Sequence, residues 1–236
     1  MPDAPHSSAG TAHPSATEDA GGQTDAEGHR RPLRRVEPAP RLQSRLLDVT
    51  VAGLALVTFA PVGALLALLI RLDSPGPALF VQDRVGLGGR RFRCYKFRTM
   101  RTDVAQPDWR VEDFSTFVFN PGGHDPRRTR LGTALRRSTV DELPQLLNVL
   151  RGDMSLLGPR PEIPEIVQQY DRPAYHLRHR VRPGMAGLAV ARGRADLTYE
   201  QGLAYDLEYA RTRSHLGDLK ILARSVRAVL KHEGAR

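Results

Sequence analysis

VTVAGLALVTFAPVGALLALLI, residues 49–70, decides how the rest of the chain is read. Its 22 residues include no charged side chain, and as a helix rising ~1.5 Å per residue they reach across a ~30 Å hydrocarbon layer. The segment begins too far from the N-terminus for a cleaved signal peptide, and no small-residue cleavage site follows it. Pro61 lacks a backbone donor and pushes Ala60 away from helical geometry, so a kink or break is expected at Ala60-Pro61. Arginines crowd both flanks: Arg30, Arg31, Arg34, Arg35, Arg41 and Arg45 before, Arg71, Arg84, Arg90, Arg91 and Arg93 after. If positive charge marks the cytoplasmic side, both ends claim that side. A helix that enters, bends and returns to one face satisfies both ends; an ordinary kinked span satisfies one, and spanning helices tolerate proline.

The 236-residue chain carries a formal net charge of +9. Its first 29 residues hold five acidic side chains and no Lys or Arg, so everything from Arg30 onward is strongly cationic. Such a surface serves nucleic acid, anionic lipid or a phosphate-bearing substrate, and the apolar segment favours the last two. Residues 1–40, rich in Pro, Gly, Ala, Ser and Thr, read as a disordered tail. A single cysteine, Cys94, excludes an intramolecular disulfide and suits a reducing compartment. His176 and His179 stand three apart with no cysteine or third ligand beside them, so they are expected on a solvated surface, not on a metal.

Asp73-Ser-Pro-Gly-Pro77 is turn chemistry that ends the membrane element. Residues 79–85, the turn Gly86-Leu-Gly-Gly89 and residues 91–100 then read as strand, turn and strand. The glycines mimic part of a dinucleotide fingerprint, but an alternating run follows them where that fingerprint needs a helix, so a hairpin is expected. Period-two spacing puts Lys96 and Arg98 on one strand face with Phe92 and Cys94. That face is either a floor for an anionic ligand or a plain solvated surface. Residues 101–130 are polar and rich in Pro and Gly, a long loop or short helices. From Leu216 to Leu230, Leu219, Leu222, Val226 and Val229 or Leu230 oppose Arg224, Arg227 and Lys231, which predicts an amphipathic basic helix packed on the domain or lying on lipid.

RRSTVDELPQLLNVLRGDMSLLGPRPE, residues 136–162, carries the chemistry. Leu143, Leu146, Leu147 and Leu150 recur at helical spacing, so a short helix runs through them, with Pro144 in its first turn and a stop at Gly152. Asp141 and Glu142 then stand at its N-terminus. By position alone they are capping carboxylates, with Thr139 and Glu142 at capping-box spacing. Arg136, Arg137 and Arg160 around them add phosphate-seeking groups, and positive charge nearby is expected to lower both carboxyl pKa values. An ionised carboxylate can attack phosphorus to form an acyl phosphate, with arginines and a divalent metal cancelling the repulsion.

These pieces resemble the monotopic phosphoglycosyl transferases of the bacterial sugar transferase family. The matching blocks are DSPGP (73–77), QDRVGLGGRRFRCYKFRTM (82–100), VDELPQLLNVLRGDMSLLGPRPE (140–162), RPGMAGL (182–188) and DLKIL (218–222), in family order. The resemblance implies that Asp141 attacks the β-phosphate of a UDP-sugar, releasing UMP, and that polyprenyl (undecaprenyl) phosphate then takes the phosphosugar. Glu142 would assist in metal binding or proton handling, with Mg2+ held by Asp141 and Glu142. Lys96, Arg136 and Arg160 match positions used on phosphate, joined by Arg98 from the strand face; Arg182 and Arg194 match positions facing nucleotide or carrier. It also implies a re-entrant membrane helix broken at the proline. Gly187-Leu-Ala-Val-Ala-Arg-Gly-Arg194 departs from the family's usual Gly-Trp-Ala-Gln-Val-Asn-Gly-Arg, which puts recognition of the donor's base or sugar in doubt.

The expectation is therefore a small, mostly helical α/β membrane-associated domain with amphipathic surface helices: tail 1–40, re-entrant helix 41–72, catalytic domain 73–236. It belongs at the cytoplasmic face of a bacterial inner membrane, takes no nucleic acid, and serves exopolysaccharide or glycoconjugate assembly; a homodimer is compatible with it. Two competitors stay open: a UDP-sugar glycosyltransferase, which would release UDP, and a non-enzymatic basic membrane-binding module.

Overall fold

A computed structural model describes residues 34–35, 42–101, 111–114, 116–117, 125, 127–192 and 197–230. All but two residues of the expected tail, and most of the polar stretch 101–130, lie outside the described residues. The architecture is mostly helical with two small sheets.

Helix α1, Leu42–Asp73, contains the quoted apolar segment, and among the described residues it is the helix long and apolar enough to cross a membrane. It is continuous through Pro61, so the expected break is not an interruption of the helix. Pro61 cannot donate to the Val57 carbonyl, and the turns on either side carry the helix past that missing bond. Its burial is uneven. Asp48 and Ala52 are buried near one end, Ile70 and the following Ser74 at the other, while every residue from 57 to 62 is exposed. The exposed positions include Leu54, Val57, Phe59, Val62, Leu65 and Leu68, an apolar surface that protein does not cover.

Two arginines tie the helix ends down. Arg45 donates to the carbonyls of Val149 and, at 2.6 Å, Leu150. At the far end Arg98 donates to Ile70 O at 3.1 Å, Ser74 O at 2.5 Å and Pro75 O, gathering carbonyls at and just beyond the C-terminal end of the helix.

Strands β1 (Leu79–Val85) and β2 (Arg91–Phe97) pair antiparallel, from Leu79↔Phe97 to Val85↔Arg91, through a turn in which Gly88 and Gly89 hold positive φ. The expected hairpin is there and the dinucleotide reading is excluded. Helix α2 (Arg130–Arg137), capped by Thr129, leads to a 3-10 turn at Val140–Glu142 and helix α3 (Gln145–Arg151), which starts after Pro144 and ends on Gly152. Asn148 of α3 is fully buried; its amide accepts from Tyr95 N and donates to Arg93 O, imitating a further strand on the outer edge of β2.

Strand β3 (Ser155–Leu157) pairs in parallel with β4 (Gly184–Ala186). Helix α4 (Pro164–Val167) and a 3-10 segment, Pro173–Arg180, lie between them; α5 (Leu188–Ala191), α6 (Tyr199–Thr212) and α7 (His215–Leu230) follow. At β3 and β4 main chain meets main chain. A Cβ at Gly158 would overlap the Arg182 carbonyl, and one at Gly184 would overlap the amide of Gly158. Helix α7 differs from the expected single apolar stripe: it buries Ile221 and leaves Leu216 and Leu219 exposed.

Three clusters form the core. Ala52 packs with Cys94, Leu146, Val149 and Met154; Ile70 packs with Ala78, Phe97 and Leu135; Val181, Leu188, Tyr209 and Ile221 make the third. Leu143, directly after the acidic pair, packs against the first two clusters at once. The two ends of α1 therefore converge on the segment that carries Asp141 and Glu142.

Candidate active site

Asp141 and Glu142 occupy the 3-10 turn between α2 and α3, both buried. Thr139, which opens that turn, is the described non-glycine residue with a positive φ, at 60°. A β-branched side chain strains that conformation, and strain of this kind collects at functional sites. The expected capping box is absent, because the Thr139 side chain makes no capping hydrogen bond. Glu142 is drawn elsewhere: Oε1 accepts from Lys96 Nζ at 3.0 Å and from Arg160 Nη2 at 3.1 Å. Tertiary charge pairing outcompetes the local cap.

Among the described residues, no hydrogen bond or ion pair is recorded for the Asp141 carboxylate. Its electrostatic neighbours are Glu142, Lys96, Arg136 and Arg160. Burial, and next the Glu142 charge, push its carboxyl above the usual range, and the three cations only partly offset this. The expectation that surrounding cations lower this pKa is thus overturned, since desolvation of a buried carboxylate outweighs them. Burial likewise pushes the Lys96 ammonium down, against the pull of Glu142.

The remaining expected site residues separate. Arg136 donates through Nε to Thr99 Oγ1 at 3.0 Å and faces Asp141 electrostatically. Arg98 is turned to the C-terminal end of α1, as described above, where three main-chain carbonyls take up its guanidinium. Arg182 donates to Gly152 O at 2.9 Å, at the end of α3 opposite the acidic pair. Arg194 lies outside the described residues, and Ala60 and Pro61 sit in the exposed middle of α1.

Two carboxylates, one already holding two cations, make a sparse metal site, and the described residues contain no group of three or more His, Cys, Asp or Glu side chains that could hold an ion. The pair still fits magnesium, which binds through one or two carboxylates and takes its other oxygens from water and substrate phosphate.

A family model described as bacterial sugar transferase matches residues 39–232. The chain is 44% identical to a UDP-glucose:undecaprenyl-phosphate glucose-1-phosphate transferase of Caulobacter vibrioides, over 86% of this chain and 77% of that protein. It is 36% identical to the exopolysaccharide production protein ExoY of Rhizobium meliloti, over 85% of this chain and 91% of that one. A UDP-N-acetylgalactosamine-undecaprenyl-phosphate N-acetylgalactosaminephosphotransferase of Aeromonas hydrophila is 40% identical over 88% of this chain, which spans 49% of that longer protein. The chain belongs to the bacterial sugar transferase family.

In this sugar transferase a second charged network stands behind Arg160. Arg178, 4% exposed, donates through Nη2 to Arg160 O at 2.6 Å and lies 2.5 Å from Asp206 of α6. Its Nη1 reaches Tyr170 OH at 3.0 Å and Glu162 at 3.7 Å. Glu162 also accepts from Tyr199 OH at 2.6 Å, and Arg84 lies 4.0 Å from it while donating to Pro161 O. Burial pushes Asp206 up to about 6 even against Arg178, and Tyr170 up to about 12. Sequence reasoning missed Arg178 and Asp206 entirely. Arg84 and Glu162 fell inside quoted motifs but had no role, and only the long-range pairing shows one.

His176 and His179 are also buried, not solvated as expected. Burial, and then the neighbouring Arg178, push His179 well below its usual range.

Removing Arg178 strands the Asp206 carboxylate in the interior, while Glu162 keeps Tyr199 and Arg84. Arg178→Met is expected to cost about 3–5 kcal/mol in denaturant unfolding, and the double variant Arg178→Met/Asp206→Leu to recover much of that loss. Additive losses would show that the pair does not act as a unit.

Proposed function

We propose that this sugar transferase moves a sugar phosphate from a UDP-sugar to undecaprenyl phosphate, releasing UMP, as the membrane step that begins exopolysaccharide or glycoconjugate assembly. The observation that carries the reading is the Asp141 carboxylate: buried, without a hydrogen-bonding partner among the described residues, and beside a Glu142 that Lys96 and Arg160 already hold. The names of the Caulobacter and Aeromonas relatives give the same donor and acceptor classes.

In the first half-reaction an Asp141 oxygen bonds to the β-phosphorus of the donor. The bond from that phosphorus to the bridging oxygen breaks, and UMP leaves with the oxygen. In the second, a phosphate oxygen of the lipid attacks the same phosphorus, Asp141 departs as carboxylate, and a lipid-linked diphosphosugar forms. Lys96, Arg136 and Arg160 offset the charge of the approaching diphosphate. Asp141 and Glu142 would hold magnesium, which when bound supplies further neutralisation of the phosphate oxygens. Arg98 is assigned to the end of α1, not to substrate. A glycosyltransferase would release UDP instead, so product identity separates the two readings.

Helix α1 is read as re-entrant, entering and leaving the cytoplasmic face. Both its ends pack on one domain, the residues around Pro61 are exposed on every side, and both flanks are rich in arginine. A soluble donor and a lipid acceptor could then meet at the membrane surface.

Asp141→Asn is expected to abolish UMP formation while leaving the thermal midpoint unchanged or higher, since it removes a buried charge; retained turnover would discard the covalent route. The nucleophile must be ionised, so activity falls as pH drops through the raised Asp141 pKa. The acid limb of kcat/KM should accordingly sit above the ordinary aspartate range, and in Glu142→Gln, which removes the adjacent like charge, it should move to lower pH. An unmoved limb would detach that ionisation from Asp141. Cysteines placed at Leu46 and Leu72, both strongly exposed, should react with an impermeant reagent from the same side of sealed vesicles; labelling from opposite sides would replace the re-entrant helix with a span.

A further inference from the structure

A cleft of about 280 Å3, not lined by the acidic pair, lies between the first turns of α1, strand β3 and helices α6 and α7. Its apolar wall is formed by Leu47, Leu157, Tyr209, Leu219 and Leu222. The size falls just below the usual range of ligand pockets, ~300 to ~1,000 Å3, as suits part of a ligand and not the whole of it. Three features restrict what can occupy it.

The first is where it opens. Leu47 and Leu219 on its wall are 55% and 63% exposed, and they continue into the uncovered apolar surfaces of α1 and α7, where Leu46 and Leu216 are also exposed. A contiguous exposed apolar rim of this kind marks a lipid-facing or docking surface. An occupant entering past it comes from the hydrocarbon side.

The second is charge. Arg182 and Arg213 on the wall are matched in number, with opposite sign, by Asp48 and Asp218. Asp48 is already used on the Ser155 hydroxyl and the Leu156 amide. Asp218 Oδ1 is buried with no hydrogen-bond partner among the described residues, so an anionic headgroup placed here would lie beside a carboxylate that no hydrogen bond compensates. The wall suits an uncharged chain and disfavours a phosphate.

The third is its connection to the acidic pair. Strand β3 ends at Leu157, and Arg160, which bonds Glu142, is only three residues further, at most ~10 Å along the chain. A long molecule with its phosphate at Asp141 is thus within reach of the cleft with its tail.

We propose that this cleft holds a length of the isoprenoid chain of the acceptor lipid, so that the enzyme selects its acceptor by hydrocarbon as well as by phosphate. The inference rests on the transferase reading and adds a second, phosphate-independent binding site to it. Bulk phospholipid is the competing source of hydrocarbon, and the acceptor's length distinguishes the two.

The test compares undecaprenyl phosphate with the short-chain geranyl phosphate, following UMP release in vesicles of fixed phospholipid composition. Leu222→Trp fills the cleft from α7; Leu219→Trp does so from an exposed position that leaves the core untouched. Both variants are expected to raise KM for undecaprenyl phosphate about tenfold, leaving KM for geranyl phosphate and both kcat values within about twofold of the unaltered enzyme. An equal rise for both acceptors, accompanied by weaker sedimentation with vesicles, would assign the cleft to bulk phospholipid and overturn the proposal; so would no change for either acceptor in either variant. Release of UDP, or no nucleotide release by the unaltered enzyme with either acceptor, would remove the transferase reading itself, an outcome distinct from loss of chain-length discrimination.

Discussion

Glu142 is held where three distant parts of the chain meet. Lys96 arrives from β2, Arg160 from the segment after β3, and the carboxylate itself from the turn after α2. A carboxylate taken out of water is costly unless paired and hydrogen-bonded, so leaving out either cation would expose the whole arrangement to that cost. The pairing has a second effect. It commits Glu142 and leaves Asp141, one residue earlier, with raised proton affinity and no hydrogen-bonding partner among the described residues. One carboxylate is held by two cations, while its neighbour carries no such pairing among the described residues.

The apolar helix is held by the same means. Its outward face is uncovered leucine, valine and phenylalanine, which gains nothing from water. Arg45 and Arg98 instead reach main-chain carbonyls, joining the start of α1 to the end of α3 and the end of α1 to β2. Charge-assisted hydrogen bonds to backbone are among the stronger polar contacts available, and they fix orientation as hydrophobic packing alone does not. The apolar helix and the turn that carries the acidic pair are consequently one mechanical unit, with Leu143 touching the cores at both ends.

What could be read from the residues alone was whatever depends on short-range pattern. Alternation and glycines located the hairpin to the residue in β1, leucine spacing with Gly152 located α3, and the uncharged run located α1. The readings that failed did so where distant neighbours overrule local preference. Thr139 and Glu142 have capping-box spacing, yet Glu142 goes to Lys96 and Arg160. Arg98 shares a nominal face with Lys96, but its guanidinium is taken up by carbonyls at the end of α1. Charge count suggested depressed carboxyl pKa values, whereas burial, invisible in composition, decides the direction for Asp141. Arg178 with Asp206, and Tyr199 with Glu162, are separated by 28 and 37 positions, with no periodicity to link them.

The close approach of Gly158 to Gly184 leaves no clearance where the two short parallel strands meet. Any side chain there would act as a wedge, prising the loop bearing Arg160 off its carboxylate while leaving every charged group around the acidic pair chemically intact. Such a lesion would mimic loss of the arginine itself. Shape at this joint, as much as charge, sets the tolerance within which the enzyme can vary.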